Sequence, residues 1–247
     1  MRGAWQELAS LLLPVACAGC GGRRGPLCGP CGAELTELRP RRVTPRAAPP
    51  GLPPVWAGGG YAGALRSVLL AHKERGALPL AEVLGRVLAA AVLAALAARP
   101  LPGVATSTPL LLVPVPSARA ATARRGHDPL RRITLAAAGQ LRASGRAVRM
   151  TPLLRQRRAV ADQVGLDRAQ RHANLDGALA AHSGRTGGPG RAGPPAPMVL
   201  VDDLLTTGAS LAEAGRALRA GSDGHGPVVA AAVIATPLRH PIGGTRR

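Results

Sequence analysis

Val199-Leu200-Val201-Asp202-Asp203-Leu204-Leu205-Thr206-Thr207-Gly208-Ala209-Ser210 is the stretch from which the chain is best read. Three apolar residues deliver a strand to two adjacent acids, and a Thr-Thr-Gly turn then opens a helix. Backbone amides at the start of that helix point into the turn, and the helix dipole favours an anion there. Gly208 permits close backbone approach, and the hydroxyls of Thr206, Thr207 and Ser210 add donors. Thr206 to Ser210, with Ala209 on the first helical turn, therefore reads as a cradle for one phosphate. Asp202 and Asp203 cannot share that phosphate, because like charges repel. They suit sugar hydroxyls, whose hydrogen bonds to a carboxylate contribute about 1.5–3 kcal/mol each. A sugar phosphate satisfies both halves.

Two rival readings are weaker. An apolar strand ending in two acids also describes the Mg²⁺ strand of P-loop ATPases, but those need a Gly-rich loop ending in Lys and then Ser or Thr. The only lysine, Lys73, follows Ser67-Val68-Leu69-Leu70-Ala71-His72, so that reading fails. Simple helix capping by Asp and Thr is the other, and two adjacent acids plus Thr-Thr-Gly exceed what a cap needs.

Outward from this stretch, short apolar runs alternate with helical patterns. Leu110 to Val115 reads as a buried parallel strand, and the loop Pro116 to Asp128 leads to a helix near Pro129. Val148 to Leu154, Leu175 to Ala181 and Val228 to Ala235 read as further strands, and Ala209 to Ala220 as a helix. Before them, Leu65, Val68, Leu69 and His72 fall at helical spacing, and a second helix runs from about Pro79 to Ala98. Its apolar stretch Val87 to Ala98 is shorter than the roughly 18 residues of a membrane span and reads as a buried Ala-rich helix. The alternation predicts an α/β fold with a parallel sheet flanked by helices, over residues 61–240. Residues 39–60, rich in Pro, Arg and Gly, read as a linker, 183–197 as a flexible insertion and 241–247 as a tail.

Residues 1–38 hold all four cysteines, as Cys17-x2-Cys20-x7-Cys28-x2-Cys31. Two such pairs supply four soft ligands for tetrahedral zinc, and Gly19, Gly21, Gly22 and Gly29 let the loops turn tightly around it. With every position filled by protein, the zinc is expected to be structural. Two disulfides or unpaired thiols are the alternatives. So short a segment cannot bury a core of its own, and the metal would supply folding energy on the order of 10 kcal/mol.

The net charge of +19 by itself suggests nucleic acid. Yet 31 of the 32 basic residues are arginine, scattered along a chain rich in Ala, Gly and Pro. Only Trp5, Trp56 and Tyr61 offer faces on which bases stack. Any nucleic-acid binding is expected to be weak. Leu11-Leu12-Leu13-Pro14-Val15-Ala16 before Cys17 superficially resembles a lipoprotein signal, but Glu7 interrupts it and Pro14 stands where Leu is preferred. The expectation is a cytoplasmic protein with no membrane span.

The acidic stretch resembles the motif with which type I phosphoribosyltransferases bind 5-phosphoribosyl-1-pyrophosphate (PRPP). The order of the other segments is similar to the competence-protein ComF family: the four-cysteine module, then Tyr61, Gly63 and Lys73. Val113-Pro114-Val115-Pro116 with Arg125-Gly126, and Gln163, Gly165, Leu166, Arg171 and Asn174, complete it. The resemblance implies a type I phosphoribosyltransferase fold that binds PRPP with Mg²⁺. Asp202 and Asp203 would hold the ribose 2′- and 3′-hydroxyls, and Thr206 to Ser210 the 5′-phosphate. Lys73, Arg125 and Arg171 become candidates for the pyrophosphate, with residues 155–174 as the loop that closes over substrate. An alternative within the same family is a non-enzymatic accessory protein that acts in DNA uptake, binding single-stranded DNA or the uptake machinery. The chain departs from the family at His127-Asp128-Pro129, where Phe-Asn-Gln is usual, and at Glu74, where tyrosine is frequent.

Overall fold

The computed structural model describes residues 16–22, 25–98, 108–158, 177–182, 196–221 and 226–238. The described elements begin with α1 (Gly29–Thr36), β1 (Arg41–Val43), β2 (Val55–Gly60), α2 (Gly63–Glu74), a 3-10 turn (Leu78–Leu80) and α3 (Ala81–Ala98). Then come β3 (Leu110–Pro114), α4 (Arg119–Arg125), α5 (Pro129–Ala143), β4 (Val148–Met150) and β5 (Leu154–Gln156). The last are β6 (Leu179–Ala181), β7 (Met198–Leu204), α6 (Ala209–Ala220) and β8 (Val228–Thr236). Six strands form one sheet in the order β1-β2-β8-β7-β3-β4, parallel except for β1 against β2. The expected α/β architecture is present.

Alternation along the strands divides the core into two layers. Val199 and Val201 of β7 face α2, α3 and α5, packing with Leu65, Val68, Leu84, Leu88, Ile133 and Leu141. Met198 and Leu200 face α6, packing with Leu211 and Leu218. A core almost without aromatics must close up by bringing backbones together. At the α3–α5 crossing a Cβ on Gly85 would lie 2.6 Å from that of Ala136 and 2.9 Å from the Ala137 amide. Helix α3, with its 3-10 turn, is long and apolar enough to cross a membrane. Ten of its residues, from Ala81 to Ala95, are buried against the sheet and its neighbours, so it serves as a core helix here.

The linker expected over 39–60 is corrected by these strands. Val55 to Ala57 are buried in the sheet, and β2 pairs with β8. Its glycines mark close packing rather than a loop: a Cβ on Gly59 would come within 2.8 Å of Leu65, and one on Gly58 would overlap Val87. Three further boundaries differ. Strand β7 runs on through Asp202, Asp203 and Leu204 instead of stopping before the acids. Val148 to Leu154 is broken into β4 of the main sheet and the start of β5, which pairs antiparallel with β6. The loop after Pro116 contains α4. Residues 159–174 of the expected closing loop, with Arg171, lie outside the described residues, as do 183–195 of the insertion and the tail.

The β5–β6 hairpin is tied to α6 by one buried acid. Glu213, 6% exposed, accepts from the Leu179 amide at 3.0 Å and pairs with Arg216, whose Nη2 donates to the Leu179 carbonyl at 3.2 Å. Burial alone would raise the Glu213 carboxyl, but the hydrogen bonds from Arg216 and Leu179 hold it below the ordinary glutamate value. A depressed carboxyl stabilises the fold above its unfolded value, near 4.3, and that contribution is lost as pH falls through and below it. Glu213→Gln is therefore expected to cost about 1–3 kcal/mol at pH 7 and to flatten the loss of stability between pH 5 and 3. Urea unfolding across that range checks it; an unchanged acid slope would remove the assignment.

Candidate functional site

Strands β3 and β7 lie side by side, and the chain leaves them in opposite directions. From β3 it passes through α4 and α5 to β4 at one edge; from β7 it passes through α6 to β8 toward the other. Crevices of this kind, outside the carboxyl ends of neighbouring parallel strands at a topological switch point, are where open α/β sheets bind ligands. Here the crevice receives the acid pair and the turn Thr206–Gly208 from β7, and the segment from Val115 to Asp128 from β3. Pairing persists to its edge, where the Val115 amide donates to the Val201 carbonyl at 2.9 Å.

Gly208 has φ +81°, the left-handed conformation open to glycine, and it turns the chain into α6. A Cβ there would sit 3.0 Å from the tip of the Leu52 side chain, so a side chain would be strained by the backbone and would press on Leu52. The Thr207 hydroxyl accepts from the Ala209 amide at 3.4 Å. Thr206 is exposed, Thr207 and Ser210 are half-buried, and Gly208 and Ala209 are buried beneath them. The hydroxyls and first-turn amides thus line an open turn at a helix N-terminus, an arrangement suited to an anion.

The two acids are held differently. Asp203 shares the face of Val199 and Val201, beneath α2, and its Oδ2 accepts from Lys73 Nζ. Side-chain exposures of 34% for Lys73 and 20% for Asp203 make this a partly desolvated pair. Asp202 accepts from the Asp203 amide at 2.8 Å. Its carboxyl is pushed up to about 7, first by burial and then by the Asp203 charge, with the amide and Lys73 opposing. Lys73 is raised from its ordinary value: burial works against its charge, but Asp203 outweighs it, and Arg125 lies near enough to oppose.

Three consecutive residues of α2 organise this side of the crevice. His72 is wholly buried, with Nδ1 3.2 Å from the Ala77 carbonyl and Nε2 3.4 Å from that of Pro129. Burial lowers its pKa, so it stands neutral in the core. Lys73 reaches Asp203. Glu74 takes both Nε and Nη2 of Arg125, at 3.2 and 2.8 Å. The Arg125 position follows from α4 ending on Gly126, φ +72°. His127 packs edge-on against His72 at 6.0 Å between rings, its Nδ1 3.0 Å from the Arg125 carbonyl and its buried Nε2 without a partner among the described residues. Asp128 caps α5 by accepting from the Arg131 amide at 3.0 Å. Beside this loop, a groove of about 950 Å³ runs between α5 and the start of α3, lined by Glu82, His127, Asp128 and Arg132 among others. The acid pair and the Thr-Thr-Gly turn do not line it.

The other end of α2 rests on the cysteines. Their four sulfurs all lie within 4.8 Å of one another, and Cys20 and Cys28 are 3.7 Å apart. Four sulfurs at about 2.3 Å from a tetrahedral zinc are themselves about 3.8 Å apart, so the cluster is close enough to hold Zn²⁺. None of the four is in a disulfide. Amides of Gly19 and Cys28 donate to Cys17 Sγ at 3.4 and 3.2 Å. Against burial, which raises it, these amides and that of Cys20 bring the Cys17 thiol down to about 6. Cys31 is pushed up to about 12, chiefly by its hydrogen bond with Cys28 and by burial. Cys17, Cys28, Cys31 and Leu35 belong to the same buried cluster as Leu65 and Trp56, so the module shares the main core. From α1, Glu34 accepts from the Ala64 amide at 3.0 Å and caps α2, whose own N-cap, Ala62, makes no side-chain cap. Gly63, φ +52°, leaves room for that carboxylate.

Of the residues singled out in the sequence, Asp203 and Lys73 are in contact, Arg125 stands next to them through Glu74, and the cysteines meet. Sequence reading missed Glu34, and it named Glu74 and His72 without their roles, because those roles lie in contacts with distant segments. No protein-family model matches the chain, and no curated protein matches it either.

Proposed function

We propose that the chain is a ComF-like phosphoribosyltransferase that binds PRPP with Mg²⁺ and transfers its phosphoribosyl group to a nitrogen acceptor. The observation that carries this reading is the meeting, at the β3–β7 switch point, of an acid pair, a Thr-Thr-Gly turn at a helix N-terminus, and two cations, Lys73 and Arg125. The acids suit the ribose hydroxyls, the turn from Thr206 to Ser210 the 5′-phosphate, and the cations the pyrophosphate. In the reaction the bond from ribose C1 to the pyrophosphate oxygen breaks as a nitrogen–C1 bond forms, and the nitrogen loses a proton. Charge builds on the departing pyrophosphate, so positioning and cationic donors supply the catalysis. Mg²⁺ bound with the substrate would neutralise pyrophosphate oxygens. The four cysteines, on this reading, hold a structural zinc.

Calorimetry with PRPP, with and without Mg²⁺, tests the reading, followed by pyrophosphate release across a panel of bases and amines. Binding is expected to require Mg²⁺ and to persist from about 50 to 200 mM salt. Binding to nucleic acid by scattered arginines would instead fall by orders of magnitude over that range and need no Mg²⁺. Tight DNA binding at physiological salt with no affinity for PRPP would overturn the enzyme reading in favour of a role in DNA uptake.

A further inference from the structure

The turn that opens α6 leans on a segment with the composition of a linker. Backbone hydrogen bonds fix the two ends of that turn: the Leu205 amide donates to the Ala235 carbonyl at 3.0 Å, and the Ala212 amide to the Gly208 carbonyl at 2.9 Å. The bend between them meets residues 44–54, the connection from β1 to β2. The Cβ position of Gly208 lies 3.0 and 3.2 Å from the two methyls of Leu52, and 3.4 Å from Pro45 Cγ. Leu52 is half-buried and, like Val43, packs against the layer that contains Leu211 and Val233.

That connection is built to stay where it is. Pro45, Pro49, Pro50, Pro53 and Pro54 each have φ fixed by the ring, so the segment has little conformational freedom to lose. Its two ends are joined by the pairing of Val43 with Val55, and the Pro54 carbonyl accepts from the Ala231 amide at 2.8 Å. It meets α6 a second time further along. A Cβ on Gly51 would come 2.9 Å from the Arg219 guanidinium, and the Gly51 carbonyl lies 3.8 Å from the Cβ position of Gly215. A stiff segment seated on a helix at its start and again past its middle fixes that start relative to the sheet.

Support of this kind matters most at Gly208. Glycine allows φ +81° but does not impose it. The amides of a first turn converge on an anion only while the bend keeps its shape. Misplacing a binding group by about 1 Å can cost on the order of a hundredfold. We propose that Leu52 is a positioning residue for the anion turn. The proline-rich connection is a backstop, and Leu52, with Pro45 beside it, holds Gly208 in the bend that aims the first-turn amides of α6 at a phosphate. Leu52 acts through Gly208 rather than on the ligand. The ligand half of this inference rests on the reading of Thr206 to Ser210 as the 5-phosphate site.

The test compares Leu52→Ala with Val228→Ala in the full chain. Val228 is half-buried and packs against the same layer, but it pairs with Met198 at the opposite end of the sheet. Melting curves establish that both variants are folded, and Leu52→Val stands in should Leu52→Ala fail to fold. Calorimetry uses ribose 5-phosphate, and PRPP with Mg²⁺. In Leu52→Ala both ligands are expected to bind about fivefold or more weakly, by similar factors, because both carry the 5-phosphate. The Ala212 amide, which reports on the Gly208 carbonyl, should exchange its hydrogen about threefold or more faster. Leu52→Met, which keeps the volume, should restore binding. Val228→Ala should leave affinities and the Ala212 rate near wild type. Unchanged affinities in Leu52→Ala, an unchanged Ala212 rate, or equal losses in Val228→Ala overturn the inference and leave the PRPP reading standing. A wild-type chain that binds neither ligand overturns the PRPP reading, and the Ala212 rate then still decides whether Leu52 holds the turn.

Discussion

Cys28→Ser is expected to reduce zinc from near one per chain to background and to unfold the protein well beyond the cysteine segment. Cys28 is buried, its sulfur lies 3.7 Å from that of Cys20, and its amide supports the Cys17 sulfur. Structural zinc sites of this kind contribute on the order of 10 kcal/mol, comparable with the whole stability of an ordinary domain. The loss cannot stay local. Cys17, Cys28 and Cys31 are part of the buried cluster that includes Leu65, Trp56 and Leu84, and Gly19 sits where a Cβ would touch Cys31 at 2.6 Å and Ala64 at 3.4 Å. Losing a metal held by the four cysteines would therefore also remove the floor beneath the first turn of α2. Metal analysis together with denaturant unfolding followed by Trp56 fluorescence decides the matter. A wild-type chain free of zinc with two disulfides, or a variant that keeps both metal and stability, would contradict it.

Asp202→Asn is expected to act in opposite directions on stability and on ligand binding. The Asp202 carboxyl titrates near 7 in the folded protein, far above the ordinary aspartate value. An acid raised on folding favours the fold while it is protonated, below its unfolded value, and that advantage is lost as pH rises through the folded one. The wild type should therefore lose stability between about pH 4 and 7 through this group. Asparagine keeps an oxygen for the Asp203 amide and carries no charge to bury. The variant should melt higher than wild type at pH 8, with the difference nearly gone at pH 4. Its affinity for PRPP should fall about tenfold or more, since one charge-assisted hydrogen bond to the sugar is weakened. Melting curves at the two pH values and calorimetry measure both effects. A lower melting temperature at pH 8, or an undiminished affinity, would contradict the assignment.

The contrast between these two sites explains what was legible in the sequence. Helix α6 could be read from Ala209 to Ala220 because Gly208 punctuates its start, and β3 and β8 because their apolar runs are unbroken. The four cysteines announced their meeting by spacing alone. Strand β2 was hidden, because Val55-Trp56-Ala57-Gly58-Gly59-Gly60 has the composition of a loop. Its glycines answer to Val87 and Leu65, residues on other elements. The acids were recognised, but not that β7 carries them inside the sheet or that Lys73, 130 residues away, covers one of them. Glu34, Glu74 and Glu213 look like surface acids in one dimension. Each acquires its role from a backbone amide or an arginine elsewhere in the fold, which no local pattern encodes.

The outer strands of the main sheet, β1 and β4, have three residues each, and they carry Arg41, Arg42 and Arg149 exposed. Inside, the sheet is rich in alanine, glycine and valine and, apart from the two acids near the end of β7, apolar, so it would readily extend if another chain could join its rim. Short rims studded with like charges oppose that joining, since an incoming copy would set arginine against arginine and find few backbone groups to pair with. The same residues that swell the net charge thus guard a small-residue sheet against growing into an aggregate, whatever else their charge attracts.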